Sequence, residues 1–233
     1  MIQQIVGMGG GGFSMEPENR LLDDYILRLT KRRRPKICFL ATACGDQQSD
    51  LDEFYRAFPK KRATASHLPL FFRYRNFDMT EHLLNQNVIY VGGGNTANML
   101  AIWRLHGVDQ ILRRAWKSGV ILCGLSAGMN CWFESCVTDS FGELRALNDG
   151  LGFLPGSVCP HYDGQKDRRP TYRRLIATKK LPAGYAADDG AGLHFIGRKL
   201  YKAISSRRNA KAYRVERFKG KVVEKNIGAT FLG

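Results

Sequence analysis

Five short runs in this chain are apolar or β-branched almost throughout: IQQIVGMG at 2–9, KICFLATA at 36–43, ATASHLPLFF at 63–72, NVIYVGG at 87–93 and GVILCGLS at 119–126. A strand that shows no polar face must be covered on both sides, which an antiparallel meander does not do and a parallel sheet between two helix layers does. Between the runs lie amphipathic stretches. EPENRLLDDYILRLTK at 16–31 puts Leu21, Leu22, Ile26, Leu27 and Leu29 on one face, SDLDEFYRAF begins with Ser49, and DMTEHLLNQ carries a capping-box pair in Asp78 and Glu81. TANMLAIWRLHG and VDQILRRAWKSG each stop at a glycine, the residue that best tolerates a left-handed C-cap. Strand and helix alternating in this way predict right-handed βαβ units and a mostly parallel central sheet sandwiched by helices. After about residue 185 the runs GYAADDGAGLHFIG, KLYKAI, AYRVERF and KVVEKNI are closely spaced and predict C-terminal strands added at one side as hairpins.

A length of 233 residues, 44% hydrophobic and 24% charged, suits one α/β domain spanning 1–233. The N-terminal apolar run is short, lacks a basic leader and ends in glycines, so it reads as a first strand rather than a signal peptide. No stretch approaches the roughly 18 apolar residues of a membrane-spanning helix, so no membrane partner is expected. The six cysteines, at 38, 44, 123, 131, 136 and 159, form no CxxC pair and several sit in apolar runs, the usage expected of a reducing cytoplasm.

The formal charge of +15 raises the question of nucleic acid. Its densest pieces are KRRRPK at 31–36, RYR at 73–75 and a Lys/Arg-rich C-terminal third, and LPLFFRYRNF interleaves aromatic with basic residues as a single-strand platform would. The charge nevertheless runs along the whole chain and fits no zinc-finger, RNP or zipper pattern, so a basic solvated surface is expected rather than a nucleic-acid partner.

The chemistry concentrates where the fifth run ends. GLSAGMN places Ser126 between Gly124 and Gly128 at the carboxyl end of a strand, the end that lines the ligand crevice of an open α/β sheet. A G-x-S-x-G turn bends sharply, which needs small neighbours and holds the serine Oγ outward at a helix N-terminus. A serine becomes a nucleophile only beside a base. His67 lies in an apolar strand-like run, His82 and His106 in amphipathic helices and His194 in a late strand, whereas His161, in SVCPHYDG, belongs to a loop at a strand end. Between Ser126 and His161 the carboxylates are Glu134, Asp139, Glu143 and Asp149. Glu134 falls eight residues into the helix expected after Ser126, about 12 Å along it. Asp139 follows that helix in the polar turn VTDSFG and is preferred as the partner of His161.

An oxyanion hole needs two N–H donors. Ala127, next after the serine, supplies one, and VGGGNTANML at 91–100 offers another from a backbone without side chains. The second glycine run, GMGGGGF at 7–13, matches G-x-G-x-x-G through Gly7, Gly9 and Gly12, but the acidic partner of a dinucleotide site is missing, since KICFLATACGD ends in small residues before Asp46. No cofactor is expected, and no Cys, His and carboxylate spacing suits a zinc site.

Taken in order, VGGGNT, GLSAGMN, TDS and PHYDG resemble the peptidase E and cyanophycinase family of serine peptidases, family S51, which share the class I glutamine amidotransferase-like, flavodoxin-like fold. The specific matches fall between residues 88 and 163. The resemblance implies Ser126 as nucleophile, His161 as base, Asp139 as the acid that orients it, and Gly94 and Ala127 as oxyanion donors. Members differ in where the acid lies, and Glu143 is close by. An α/β-hydrolase would carry its acid and histidine late in the chain, whereas His161 follows Ser126 by 35 positions, and a glutamine amidotransferase would have Cys at 126.

The family cleaves dipeptides with an N-terminal Asp, or an Asp-Arg polymer, so the implied partner is a small peptide substrate and the implied activity an Asp-X dipeptidase. A free α-ammonium calls for an anion near the nucleophile; Asp188, Asp189 and Glu134 are candidates, and an acidic turn on a basic surface is the plainer role for the first two. A non-catalytic amidotransferase-like binding module and a basic acidic-polymer binder are the alternatives, and a homo-oligomer is compatible with the sequence.

Overall fold

The structure, a computed structural model, describes residues 2–71 and 77–233; the RYR piece at 73–75 lies outside the described residues. Strands and helices alternate through the first half: β1 Gln4–Met8, α1 Gly12–Met15, α2 Leu21–Leu29, β2 Lys36–Leu40, α3 Gln48–Ala57, β3 Thr64–His67, α4 Met79–Leu84, β4 Val88–Val91, α5 Thr96–His106, α6 Val108–Lys117, β5 Ile121–Leu125 and α7 Ala127–Asn130. The second half is richer in strands: β6 Phe133–Thr138, β7 Arg145–Leu147, β8 Leu154–Cys159, α8 Arg168–Ala177, β9 Gly184–Ala187, β10 Ala191–Ile196, β11 Lys199–Ser205, β12 Ala212–Phe218, β13 Lys221–Asn226 and β14 Thr230–Phe231.

An eight-stranded sheet runs β14-β11-β10-β1-β5-β4-β2-β3, with β1, β5, β4, β2 and β3 parallel and β10 antiparallel to β1. Its parallel strands divide their side chains strictly by parity. Cys38, Leu40, Ile89, Val91 and Leu122 face one layer with Met99 and Trp103 of α5 and Leu112 and Trp116 of α6. Ile37, Phe39, Val88, Tyr90 and Ile121 face the other with Leu22 and Ile26 of α2 and Leu51 and Phe54 of α3. Both faces are buried along β1, β2, β4 and β5, which is why these strands read as unbroken apolar runs, while the edge strand β3 is partly exposed; each buried apolar side chain contributes roughly 1.5–3 kcal/mol.

The helix boundaries follow local chemistry. Asp78 Oδ1 accepts the Glu81 amide at 3.0 Å ahead of α4, and Gly107, at φ 70, ends α5 in the left-handed conformation.

Two expectations change. The helix after Ser126 is a single turn, because Cys131, Trp132 and Phe133 turn into the interior and the chain continues as β6. The late strands do form hairpins, β10 with β11 and β12 with β13, yet they do not gather at one side. β10, β11 and β14 extend the main sheet past β1, while β9, β12 and β13 complete a second, six-stranded sheet in the order β13-β12-β9-β8-β6-β7. That sheet packs on α8 through Val137, Cys159 and Val215 against Tyr172, Leu175 and Ile176.

Candidate active site

Ser126 stands directly after β5 as the N-cap of α7, at φ 54 and ψ −112. A side chain held there costs about 1–3 kcal/mol, a conformation that persists only where its surroundings enforce it. The enforcement is close packing of the flanking glycines. A Cβ on Gly124 would stand 2.6 Å from the Gly128 carbonyl oxygen, and one on Gly128 would overlap the Val91 carbonyl. The G-x-S-x-G spacing is thus a packing requirement of the bend. Ser126 is half-buried and its hydroxyl forms no hydrogen bond with the described residues, its own helix included.

His161 comes from the second sheet, just past β8, and also has positive φ, 52. Both residues are anchored to the tail of β1. The Ser126 N–H donates to Met8 O at 3.1 Å and the His161 N–H donates to Gly9 O at 3.1 Å, so both backbones hang from consecutive carbonyls of one strand tail.

Among the described residues the imidazole has one side-chain partner, Asp189: Nδ1 and Oδ1 are 2.6 Å apart, with the side chains 10% and 14% exposed. A carboxylate on Nδ1 keeps the proton on that nitrogen and leaves Nε2 as the acceptor. The pairing follows from topology. β8 and β9 are parallel neighbours with Cys159 opposite Ala186, so the residues just past their ends, His161 and Asp189, meet above the sheet. Gly10 makes room for them. A Cβ there would overlap the Asp189 carboxylate and lie 3.1 Å from His161 Nδ1. The run at 7–13 therefore lets backbone close on the His161–Asp189 hydrogen bond.

Asp139 does not reach His161. Its carboxylate accepts from Arg168 at 2.9 Å, and it neutralises a guanidinium that is almost fully buried and also donates to Gln165 Oε1 and Val137 O. The assignment of Asp139 to the imidazole is corrected accordingly: β6 carries it away to an ion pair of its own. The other carboxylates are also elsewhere. Glu134 lies on β6, accepting from the Gly156 amide at 2.8 Å; Glu143 is in an exposed turn; Asp149 pairs with Arg104 at 2.7 Å.

Asp189, a candidate ammonium ligand on sequence grounds, is instead the histidine's partner, and it lies outside the interval between Ser126 and His161 in which the acid is expected. Its position two residues past an apolar strand, in AADDGAG, is the same signal that singled out His161.

The acidic turn has two further members. The Asp189 amide donates to Asp163 Oδ1 at 2.8 Å, fixing the backbone that carries the carboxylate. Asp188 is buried, accepts the Lys211 amide at 2.9 Å and keeps Oδ1 without a partner among the described residues; burial pushes its pKa up to about 6, against the pull of that amide. Among the described residues no cluster of three or more His, Cys, Asp or Glu side chains is spaced to hold a metal ion.

Gly94 lies at φ 126, where a Cβ would overlap the Ala43 carbonyl, so only glycine fits. Its neighbour Gly93 borders Ser126, its Cβ direction ending 3.9 Å from Ser126 Oγ. The Gly94 and Ala127 amides donate to no backbone or side-chain acceptor among the described residues. Asn95 closes the loop: its amide donates to Ala43 O at 2.8 Å, and its side chain accepts from Asn98 N and donates to Ser140 O. A hydroxyl, a polarised imidazole and two unengaged amides on one strand-end platform form a set suited to acyl transfer.

The chain is 53% identical over 232 residues to the "Uncharacterized peptidase YgaJ" of Bacillus subtilis (strain 168), covering 100% of both proteins. A more distant likeness, 29% over 119 residues, is to the imidazole glycerol phosphate synthase subunit HisH of Dehalococcoides mccartyi, covering 51% of this chain and 55% of that protein. Among solved structures, a peptidase from an acI-B1 Actinobacterium superposes with TM-score 0.69 at 17% identity, covering 98% of this chain and 95% of the other. A putative peptidase E protein from Listeria monocytogenes EGD-e superposes with TM-score 0.61 at 16% identity, covering 88% and 99%. These two share the fold, a mixed α/β architecture. The profile of peptidase family S51 matches residues 5–203, and the chain belongs to peptidase family S51.

Proposed function

We propose that the protein is a serine-type dipeptidase acting on small peptides with an N-terminal Asp, through an acyl-enzyme on Ser126. The observation that carries the reading is the His161 Nδ1–Asp189 Oδ1 bond of 2.6 Å at the strand tail that also anchors Ser126. Ser126 Oγ attacks the scissile carbonyl carbon while His161 Nε2 takes the hydroxyl proton. The carbonyl oxygen becomes an oxyanion facing the Gly94 and Ala127 amides. As the C–N bond breaks, His161 returns the proton to the leaving amine; water then repeats the sequence on the ester and frees Ser126.

Support for the substrate class is coarser. It comes from the family, from the basic charge of +15, which favours approach of acidic peptides, and from Asp163 and Asp188, the other acids of the turn that holds Asp189, which suit a free α-ammonium. The test is a panel of Asp-X, Glu-X, β-aspartyl and Arg-containing dipeptides with wild-type and Ser126→Ala proteins, together with a serine-directed phosphonate. Asp-X hydrolysis that the variant loses, and a label on Ser126, are expected. Equal slow turnover by both proteins would sink the serine mechanism; preference for another panel member would sink the Asp-X assignment alone.

A further inference from the structure

Five polar residues of the motifs VGGGNT, GLSAGMN and TDS have no part in the reaction above: Asn95, Thr96, Asn130, Thr138 and Ser140. They lie on three elements that meet beside Ser126, namely the start of α5, the end of α7 and the end of β6 with the turn that follows it.

Stabilising an oxyanion needs two amides held at a fixed separation. The Gly94 amide follows β4 and the Ala127 amide follows β5, parallel neighbours whose register ends with Val91 opposite Gly124. Past that point no backbone hydrogen bond joins residues 92–96 to 125–130 among the described residues. Side chains make the connection instead. Asn130, buried in α7, donates from Nδ2 to Thr96 Oγ1 at the head of α5 and to Val137 O of β6, each at 3.3 Å, while its backbone N–H donates to Ser126 O at 2.9 Å. Asn95 Nδ2 donates to Ser140 O at 2.9 Å. Ser140 is held in turn: its Oγ accepts the Ala97 amide at 3.2 Å and lies 2.7 Å from Thr138 Oγ1 at the end of β6. The bonds close a ring that runs from α7 through Asn130, Thr96, Asn95, Ser140 and Thr138 back to Val137 and Asn130.

A closed network holds its members more tightly than separate bonds do, because none can turn without breaking a neighbour's bond. Thr96, Asn130 and Thr138 are buried, where a broken bond leaves a group unsatisfied at a cost of about 1–3 kcal/mol. Helix capping alone does not require asparagine at 95. Its Oδ1 accepts the Asn98 amide at 2.9 Å, which serine or aspartate does as well, but of these residues only asparagine adds an N–H donor for Ser140 O.

We propose that Asn95, Thr96 and Asn130 are positioning residues of the hydrolysis, a hydrogen-bonded brace that sets the separation of the Gly94 and Ala127 amides. Its effect on rate rests on those amides acting as the oxyanion donors proposed above.

Three variants test the brace. Asn95→Ser keeps the helix cap and removes the donor; Thr96→Val keeps the shape and removes the acceptor; Thr96→Ser puts the acceptor back. Each is compared with wild type and Gly94→Ala by kcat and KM on the best dipeptide, by the maximal rate and half-saturating concentration of inactivation by the serine-directed phosphonate, and by Tm. A misplacement of about 1 Å can cost 10²-fold in rate. Asn95→Ser and Thr96→Val should therefore each lower kcat and the maximal inactivation rate about tenfold, with KM and the half-saturating concentration within about threefold. Thr96→Ser should stay within about threefold of wild type throughout, and all three should melt within roughly 4 °C of it. If Asn95→Ser and Thr96→Val keep the wild-type rate while Gly94→Ala is slow, the brace is refuted and the oxyanion assignment stands. If Gly94→Ala also keeps the wild-type rate, the oxyanion assignment falls and the brace with it. A loss that Thr96→Ser shares in full with Thr96→Val would overturn the brace as well.

Discussion

Asp189→Asn and Asp139→Asn separate the two carboxylates by different observables. Asp189 faces His161 Nδ1 at 2.6 Å with both side chains largely shielded from water. An amide there either presents its NH₂ to Nδ1, stabilising the tautomer with its proton on Nε2, or leaves a weaker acceptor; both remove the base that Ser126 requires. The same substitution in a chymotrypsin-type triad lowers kcat about 10⁴-fold, so a loss of roughly 10³- to 10⁴-fold, about 4–5.5 kcal/mol at 1.36 kcal/mol per decade, is expected here. Folding stability should change little.

Asp139 predicts the reverse. Its carboxylate is 49% exposed but neutralises an Arg168 side chain that is only 3% exposed. Removing one partner of a fully buried pair destabilises by about 3–5 kcal/mol, and exposure of this one reduces the expected loss to roughly 1–2 kcal/mol, a fall in Tm of a few degrees for a chain of this size. Its kcat should stay within about threefold of wild type. Steady-state hydrolysis of the best dipeptide, beside thermal unfolding of the same preparations, makes the comparison. If Asp139→Asn loses more kcat than Asp189→Asn while remaining folded, the assignment of the acid to Asp189 is refuted.

Other outcomes follow from the same geometry. Asp163 acts through the Asp189 amide at 2.8 Å, so Asp163→Ala should lower kcat about tenfold and shift the acid limb of the pH–rate profile, while Asp163→Asn, which keeps an acceptor oxygen, should restore most of the rate; equal losses in both would exclude a positioning role. Gly94→Ala should lower kcat about 10²- to 10³-fold with a smaller change in KM, because its Cβ meets the Ala43 carbonyl and moves an oxyanion donor; unchanged kcat would remove Gly94 from that role. His194 is buried between the Tyr25 hydroxyl at 2.7 Å and Gln4 Oε1 at 3.1 Å, and burial, with the Lys202 charge adding to it, holds its pKa down to about 4. The folded state thus prefers the neutral ring, so this contribution is complete above the ordinary value near 6.5 and is lost as pH falls from there toward 4. Denaturant unfolding at pH 7 and 4.5 should show wild type losing roughly 2–3 kcal/mol more than His194→Gln; parallel losses would contradict it.

Much of the fold was legible because it rests on periodicity. The runs at 36–43, 87–93 and 119–126 contain no polar face, and the strands found in them are buried on both sides. Asp78 and Gly107 mark helix ends where their side-chain chemistry and backbone freedom require. The stretch after Ser126 misled because Cys131, Trp132 and Phe133 are apolar without a repeat that separates a helix from a buried strand, and the six-stranded sheet that receives them is built from partners far along the chain.

Linear order alone determined the parallel α/β core and the strand-end turn bearing Ser126, since dry strands, caps and a crowded glycine bend leave marks within a few residues. Which carboxylate meets His161 was decided only in three dimensions. Asp139 and Asp189 are both small acids in polar turns just past strands, and that shared position does not tell them apart. The parallel pairing of β8 with β9 carries one to the imidazole, while β6 delivers the other to Arg168. Sheet order is set by burial summed over the whole chain, so a contact that depends on it has no signature in the neighbouring sequence.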